Sequence, residues 1–410
     1  MLTGLKAWLW LSTRLEAGPA WQVLNHFDSP EQAYFADPEE YRLIPRLSDR
    51  HIRKLTDKSL DAVNDILTRC DSQGIGIVTW QDADYPERLR NIEVPPLVLY
   101  YRGKLPRFDE EIAIAMAGTR KATPYGCKAA SQLAFEITRL GGLVITGIVE
   151  GCDQFALVAT LKAGGAPVCV LAGGVDVPYY NSDSNRHLLA DVAARGTLVS
   201  EYPPGTPHLA DHFFARNRIL TGLALGTVCV EAPVRSGTLN VAALALEQGR
   251  DVFAVPANFD ATGSKGTNQL LVRGEAICVC SGGDVLEHYW ALYPNKRRDT
   301  APMAPQDMAQ RLEETKQAEL PKQEPKTEVK PEPVADKRRQ VVLEQHKSEY
   351  TDDEVAVLRA LEQESLVTDG VVAATGLPAR RVSATLTVLT IRGLVKQLPG
   401  GRFEATITLI

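Results

Sequence analysis

Two arginines and an asparagine, Arg216, Asn217 and Arg218, follow Phe213 and Phe214 at the head of an apolar run, Ile219-Leu220-Thr221-Gly222-Leu223. A guanidinium is planar, always charged and able to pair with phosphate oxygens in bidentate fashion, while a phenyl face stacks on a nucleobase. The grouping therefore suits a ligand built of phosphate and base. The same residue types at a helix start also serve as a solvated face, a cap or an intrachain ion pair, so the elements around them must decide.

Those elements are legible. Between residues 111 and 293, apolar β-branched runs at 112–118, 142–147, 166–174, 196–202, 227–232, 251–257 and 276–282 alternate with helix candidates at 125–140, 152–163, 183–194, 216–224 and 238–248. Near-continuous apolar strands separated by helices predict an α/β fold, a doubly wound, Rossmann-like, mostly parallel sheet covered on both faces. In such sheets a ligand sits beyond the carboxyl ends of the strands, so the residues there carry the chemistry. The first strand end reads Gly118-Thr119-Arg120-Lys121: Gly118 lets backbone amides approach an anion, Thr119 offers a hydroxyl, and Arg120, with Lys121 beside it, points from the rim. Gly147 and Gly151 bracket the second loop, Ser236-Gly237-Thr238 open a helix whose first turn supplies amides and hydroxyls, and Gly266, Thr267 and Asn268 end a polar loop. Together with 213–218 they form a phosphate-binding rim. No G-x-x-x-x-G-K-[ST] loop occurs, which argues against an ATP motor.

A net charge of -6 over 410 residues excludes a general polyanion binder and requires any nucleic-acid site to be a local basic patch. The length predicts about three units, and an apolar content of 44% is ample for their cores. The seven cysteines lie mostly in apolar runs, which reads as reduced, buried thiols in a cytosolic protein. Cys278 and Cys280 have no accompanying Cys/His cluster, so no metal is expected. The N-terminus is apolar but interrupted by Lys6 and Arg14 and lacks a small-residue cleavage site, which predicts an amphipathic helix and a soluble, cytoplasmic chain.

Residues 1–80 read as a helical domain, with the turns at 16–19 and 45–48 resembling those of helix-hairpin-helix modules; a helical interaction module without DNA contact fits equally. Residues 81–110 read as an extended connector, 111–293 as the Rossmann-like domain, and 294–349, rich in Pro, Lys and Glu, as a flexible charged linker. Residues 350–410 read helix, helix, helix, hairpin, the winged-helix order, with a capping box at Thr351-Asp352-Asp353-Glu354, residues 379–392 in the recognition-helix place and a turn at Pro399-Gly400-Gly401.

The stretches 117–126, 173–189, 198–206, 212–223, 230–239, 247–256 and 266–271, in this order, resemble the DNA-processing protein A (DprA/Smf) family, as do the helical, SAM-like start and the winged-helix end. The resemblance implies a non-enzymatic, cofactor-free protein that binds single-stranded DNA in a positive pocket of its Rossmann-like domain. It also implies a homodimer that helps load the RecA recombinase in natural transformation, with self-association expected around 270–277. Carried over by motif, Gly118, Thr119 and Arg120 hold phosphate, Phe213 stacks or walls the pocket, Arg216, Asn217 and Arg218 line its base, and Ser236, Gly237 and Thr238 complete it. Two rivals remain. Phosphoribohydrolases share this kind of domain but use P-G-G-x-G-T-x-x-E, and here 234–241 lacks the Gly-Gly pair and puts Val241 in the carboxylate place. A winged-helix transcription regulator would need base-reading side chains, where the chain has Val382, Ala384, Leu386 and Val388.

Overall fold

The apolar run from Ala113 to Ala117 forms an inner strand of a nine-stranded sheet in the computed structural model, which describes residues 2–178, 183–298, 339–341, 350–363, 365–392, 394–398 and 402–409. The chain divides into two compact units, Met1–Leu320 and Pro321–Ile410. In the first, helices α1 (Gly4–Arg14), α2 (Ala17–Phe27), α3 (Pro30–Phe35), α4 (Pro38–Tyr41), α5 (Asp49–Thr56) and α6 (Asp61–Gln73) precede strand β1 (Gly76–Thr79), helix α7 (Glu87–Arg90) and strand β2 (Val98–Gly103). Alternation follows: β3 (Ala113–Ala117), α8 (Pro124–Arg139), β4 (Leu143–Thr146), α9 (Cys152–Lys162), β5 (Val168–Val170), α10 (Asp183–Arg195), β6 (Thr197–Ser200) and α11 (Ala210–Gly222). It ends with β7 (Gly226–Cys229), α12 (Gly237–Glu247), β8 (Asp251–Ala254), α13 (Lys265–Val272), β9 (Ile277–Cys278) and α14 (Gly282–Glu287).

The sheet order is β1-β2-β6-β5-β4-β3-β7-β8-β9, and pairing is parallel from β6 through β9. The chain leaves β3 toward β4, β5 and β6, then returns to β7 on the other side of β3. This reversal opens a crevice at the carboxyl ends of β3 and β7. Alternating side chains along each strand feed two faces. Ile114 and Met116 of β3 enter one core with α8, α9 and α14, whereas Ala113, Ala115 and Ala117 enter another with Ile219, Leu220 and Leu223 of α11. Every strand run read from the sequence between 111 and 293 is present.

The segment expected as an extended connector contains β2, hydrogen bonded antiparallel between β1 and β6. It had read as a connector because Pro95 and Pro96 precede a short run whose sheet partners are distant in sequence. The N-terminal helices are equally bound to the sheet: Trp8, Trp10 and Val23 share a core with Tyr100 of β2, Cys169 of β5 and Leu198 of β6. Gly18 and Pro19, expected in a hairpin, lie in the first turn of α2, where a proline has no intrahelical N–H to lose. At 45–48, Arg46 takes the left-handed conformation, φ 66°, which the absent glycine would have taken.

The second unit contains β10 (Arg339–Val341), α15 (Asp352–Gln363), β11 (Leu366–Val367), α16 (Thr368–Thr375), α17 (Ala379–Ile391), β12 (Val395–Leu398), β13 (Arg402–Ala405) and β14 (Ile407–Leu409). The capping box is formed: the Thr351 N–H donates to the Glu354 carboxylate at 2.8 Å and the Glu354 N–H to the Thr351 hydroxyl at 3.3 Å. Val357, Leu361, Val371, Val382, Leu386 and Leu389 build its core, and β11, β13 and β12 form the small sheet of a winged helix. The linker reading extends too far, since β10 pairs in parallel with β14. The rest of that segment beyond residue 298, and the turn at 399–401, lie outside the described residues.

Because the helices and the sheet share one core, Leu198→Ala should cost about 2–5 kcal/mol in urea unfolding. Tryptophan fluorescence, dominated by Trp8, Trp10, Trp21 and Trp80 in or against this core, should shift together with the far-ultraviolet signal of the first unit. A tryptophan transition left unmoved by the substitution would show the helices to be a separate folding domain.

Candidate nucleic-acid interface

A cleft of about 650 Å³ lies in the crevice between β3 and β7, lined by Gly118, Thr119, Arg120 and Lys121 after β3, Asp153 of α9, one face of α11, and Arg235, Ser236, Gly237 and Thr238 before and at the start of α12. Helix α11 begins at Ala210, so 213–218 lies within the helix and not ahead of it. Nothing between Pro207 and Gly222 interrupts helix formation, and the apolar run that seemed to mark its start is only its more buried half. Helical geometry then separates the two arginines. Residues two apart are about 200° apart around the axis, so Arg216, Asn217 and Phe213 face the cleft while Arg218 turns away, 2.6 Å from the Glu201 carboxylate in a partly buried ion pair.

Asp153 organises the floor. Its carboxylate is buried and faces the N–H groups of Gly118 and Gly147 and the Arg216 guanidinium, itself only 5% exposed. Gly147 is required by closeness: a Cβ there would stand 2.6 Å from the Asp153 carboxylate and 2.7 Å from Arg216. Gly151, at φ 87°, is required by conformation and because a Cβ would lie 2.3 Å from the Thr119 carbonyl. These loop glycines therefore admit protein to protein. The Thr119 N–H donates to the Glu231 carbonyl at 2.8 Å, and the Thr119 hydroxyl accepts the Lys121 N–H at 3.2 Å. The Thr119 and Lys121 amides are thus engaged within the chain, and the anion that the Gly118 and Gly147 amides face is Asp153.

What faces outward is side-chain charge. Arg120, Lys121 and Arg235 are exposed at the cleft, and among the described residues lining it Asp153 is the one carboxylate. The Arg120 guanidinium lies over the Phe213 ring, 4.9 Å from its centroid, and His208 stands on the same ring at 6.4 Å. Ser236 caps α12 by accepting the Thr238 N–H at 3.2 Å, and the helix N-terminus opens on the cleft with its partial positive charge. The Asn217 amide donates to Asn240 of α12 at 3.2 Å, which fixes α11 against α12.

Of the residues singled out by sequence, Gly118, Thr119, Arg120, Lys121, Phe213, Arg216, Asn217, Ser236, Gly237 and Thr238 line the cleft. Gly147 lies beneath it and Gly151 supports the 119–120 loop. Arg218 lines a different cleft with Glu201. Gly266, Thr267 and Asn268 lie outside: the Gly266 N–H donates to the Ala232 carbonyl at 2.7 Å, the Thr267 hydroxyl to Ser264 at 2.9 Å, and Asn268 clasps the backbone of Ala257 through two 3.1 Å bonds. Their glycine-rich composition served a loop clamp. Sequence reasoning did not single out Asp153, His208 or Arg235, which also line the cleft; Asp153, first-turn acid of the helix after a glycine loop, and Arg235, beside the Ser-Gly step, carried readable signals. The cysteine reading needs one correction, since Cys278, on the edge strand β9, and Cys280, just after it, are exposed. Among the described residues no helix is long and apolar enough to cross a membrane.

Burial pushes the Asp153 carboxyl up to about 6, against the downward pull of Arg216 and the two glycine N–H groups. Since its folded value lies above the ordinary carboxylate value of about 3.9, the folded state takes up a proton that the unfolded chain refuses between pH 6 and 4, so this group adds stability as pH falls through that window. Carboxyl-carbon NMR should find Asp153 titrating near pH 6. A midpoint near 4 would show a hydrated floor.

The family model for DNA recombination-mediator protein A matches residues 76–290, and that for the DprA winged helix domain matches 327–401. Protein Smf of Synechocystis sp. (strain ATCC 27184 / PCC 6803 / Kazusa) is 29% identical over 405 residues, spanning 97% of this chain and 98% of its own. The DNA processing protein DprA of Bacillus subtilis (strain 168) is 35% identical over 222 residues, 54% of this chain and 74% of its own. The X-ray structure of DNA processing protein A from Streptococcus pneumoniae aligns with a TM-score of 0.60 at 28% identity, covering 70% of this chain and 98% of that one. With half of its length matched by one family model, its last domain matched by a second, and the fold shared with a solved member, the chain belongs to the DNA recombination-mediator protein A (DprA/Smf) family.

Proposed function

We propose that this chain is a cytoplasmic, non-enzymatic mediator that binds single-stranded DNA in the cleft between β3 and β7, associates with a second copy of itself, and assists loading of the RecA recombinase in natural transformation. The observation that carries the DNA assignment is the convergence of Arg120, Lys121, Arg216 and Arg235 with two phenylalanines on one cleft of a chain whose net charge is -6. Local cations supply sequence-independent attraction to phosphates, and rings beside them suit unpaired bases. The exposed apolar Val272, at the end of α13, and Ile277, on the edge strand β9, support self-association through this part of the chain.

A nucleotide hydrolase fits less well. Val241, in the place of a catalytic carboxylate, is buried at the cleft, and Asp153 is occupied by two N–H groups and an arginine. A transcription regulator fits less well too. On α17, Arg381 pairs with Asp353 at 2.7 Å, and Arg392 with Glu354 at 3.0 Å, while Val382, Leu386 and Leu389 are core. The exposed remainder, including Ala384, Thr387 and Val388, has few groups to read base edges.

Arg216 is buried against Asp153, so the exposed Arg120 and Arg235 are the residues to reverse. In fluorescence-anisotropy titrations at low salt, Arg120→Glu with Arg235→Glu should weaken single-strand binding at least tenfold, and each lost phosphate contact should reduce the slope of log affinity against log salt by about 0.7. Unchanged affinity and slope would refute the cleft assignment. Removal of residues 350–410 should leave most single-strand affinity in place; its loss would transfer the DNA site to the winged helix.

A further inference from the structure

Phe214 is 60% exposed and yet lines the same cleft as Arg120, Arg216 and Ser236. On α11, Ala210, Phe213, Asn217 and Leu220 follow one another along the cleft face at helical spacing. Phe214 lies one residue, about 100°, around from Phe213, which sets its ring at the rim. The two phenylalanines are consequently in different situations. Phe213 is partly buried against the core of the N-terminal helices and carries the Arg120 guanidinium 4.9 Å from its ring centre, so it serves as a wall that holds Arg120 in place. Phe214 leaves most of its ring in water beside a group of cations, an arrangement that costs hydrophobic free energy until something flat covers it.

We propose that Phe214 is the base-stacking platform of the cleft, carrying an unpaired nucleobase while the adjoining phosphates meet Arg120, Lys121 and Arg235. The proposal rests on the single-strand reading above and supplies what that reading lacks, a basis for selectivity. Phosphate contacts by themselves do not favour a single strand over a duplex, because the duplex carries the higher backbone charge density. An aromatic ring does, because the base faces of a duplex are already stacked on one another while those of a single strand are open to it. Phe214 is therefore a specificity residue, and the cations around it set the affinity common to both.

The test uses the full chain and three labelled probes: oligo-dT, an abasic oligonucleotide of equal length, and a duplex. Phe214→Ala should weaken oligo-dT binding about tenfold while leaving the abasic and duplex affinities and the salt slope unchanged. Phe214→Leu, which keeps apolar area without a flat face, should lose as much. Phe214→Trp should retain oligo-dT affinity, and its added indole emission should be quenched by oligo-dT and not by the abasic strand. Because the ring is exposed, all three variants should melt with the wild type. Wild-type oligo-dT affinity in Phe214→Ala, or an equal loss on the abasic strand, would overturn the assignment of Phe214 while leaving the single-strand reading intact. A wild-type chain that binds no single strand would remove that reading and this one together.

Discussion

A single buried carboxylate holds the cleft together. Asp153, at the start of α9, faces the N–H groups that follow β3 and β4 and the guanidinium from the middle of α11. A carboxylate out of water is costly unless its oxygens are met by donors and its charge by a cation. Three elements that are far apart in sequence are therefore fixed on one charge. The arrangement also turns the N–H groups of the glycine loops inward, and the groups left facing the cleft are the long cationic side chains above them and the start of α12. A site built in this way has a rigid floor and a basic rim.

The sheet explains why that rim is where it is. Strand order reverses on either side of β3, and the reversal separates the loops that follow β3 and β7. Helix α11 then closes the crevice, anchored by Ile219, Leu220 and Leu223 in the core on one face of the sheet and by the Asn217 to Asn240 bond to α12. Its other side belongs to a different cleft, where Arg218 meets Glu201 beside residues of α1 and α2. The helices at the N-terminus are thus structural neighbours of α11 as well as a cover for β2, β5 and β6.

Much of this was legible because the signals were local. Buried parallel strands require continuous apolar runs, and the runs were there; a Thr-x-x-Glu start requires only four residues, and the Thr351 to Glu354 box formed as read. The errors share one origin. Arg218 was grouped with Arg216 because adjacency in sequence was taken for adjacency in space, which a helix contradicts. Gly266, Thr267 and Asn268 looked like a phosphate loop because a clamp on neighbouring backbone uses the same small and amide-bearing residues. Residues 98–103 looked like a connector because nothing local reveals that a short strand has partners at 76–79 and 197–200. Arg235 and Phe214 were in plain view, but their exposure depends on how the surrounding elements pack.

Composition and motif order by themselves determined the class of the fold, the family, and the need for a local basic patch on an acidic chain, because apolar periodicity, glycine placement and net charge are properties of the chain alone. Which cation is exposed at the cleft, which is paired inside, and whether a glycine's missing side chain makes room for a carboxylate of the same protein were decided only by the tertiary structure. Those outcomes depend on distances between residues that the sequence holds far apart, and the energy of the charge at their centre is set by burial against the opposing pull of Arg216 and the loop N–H groups.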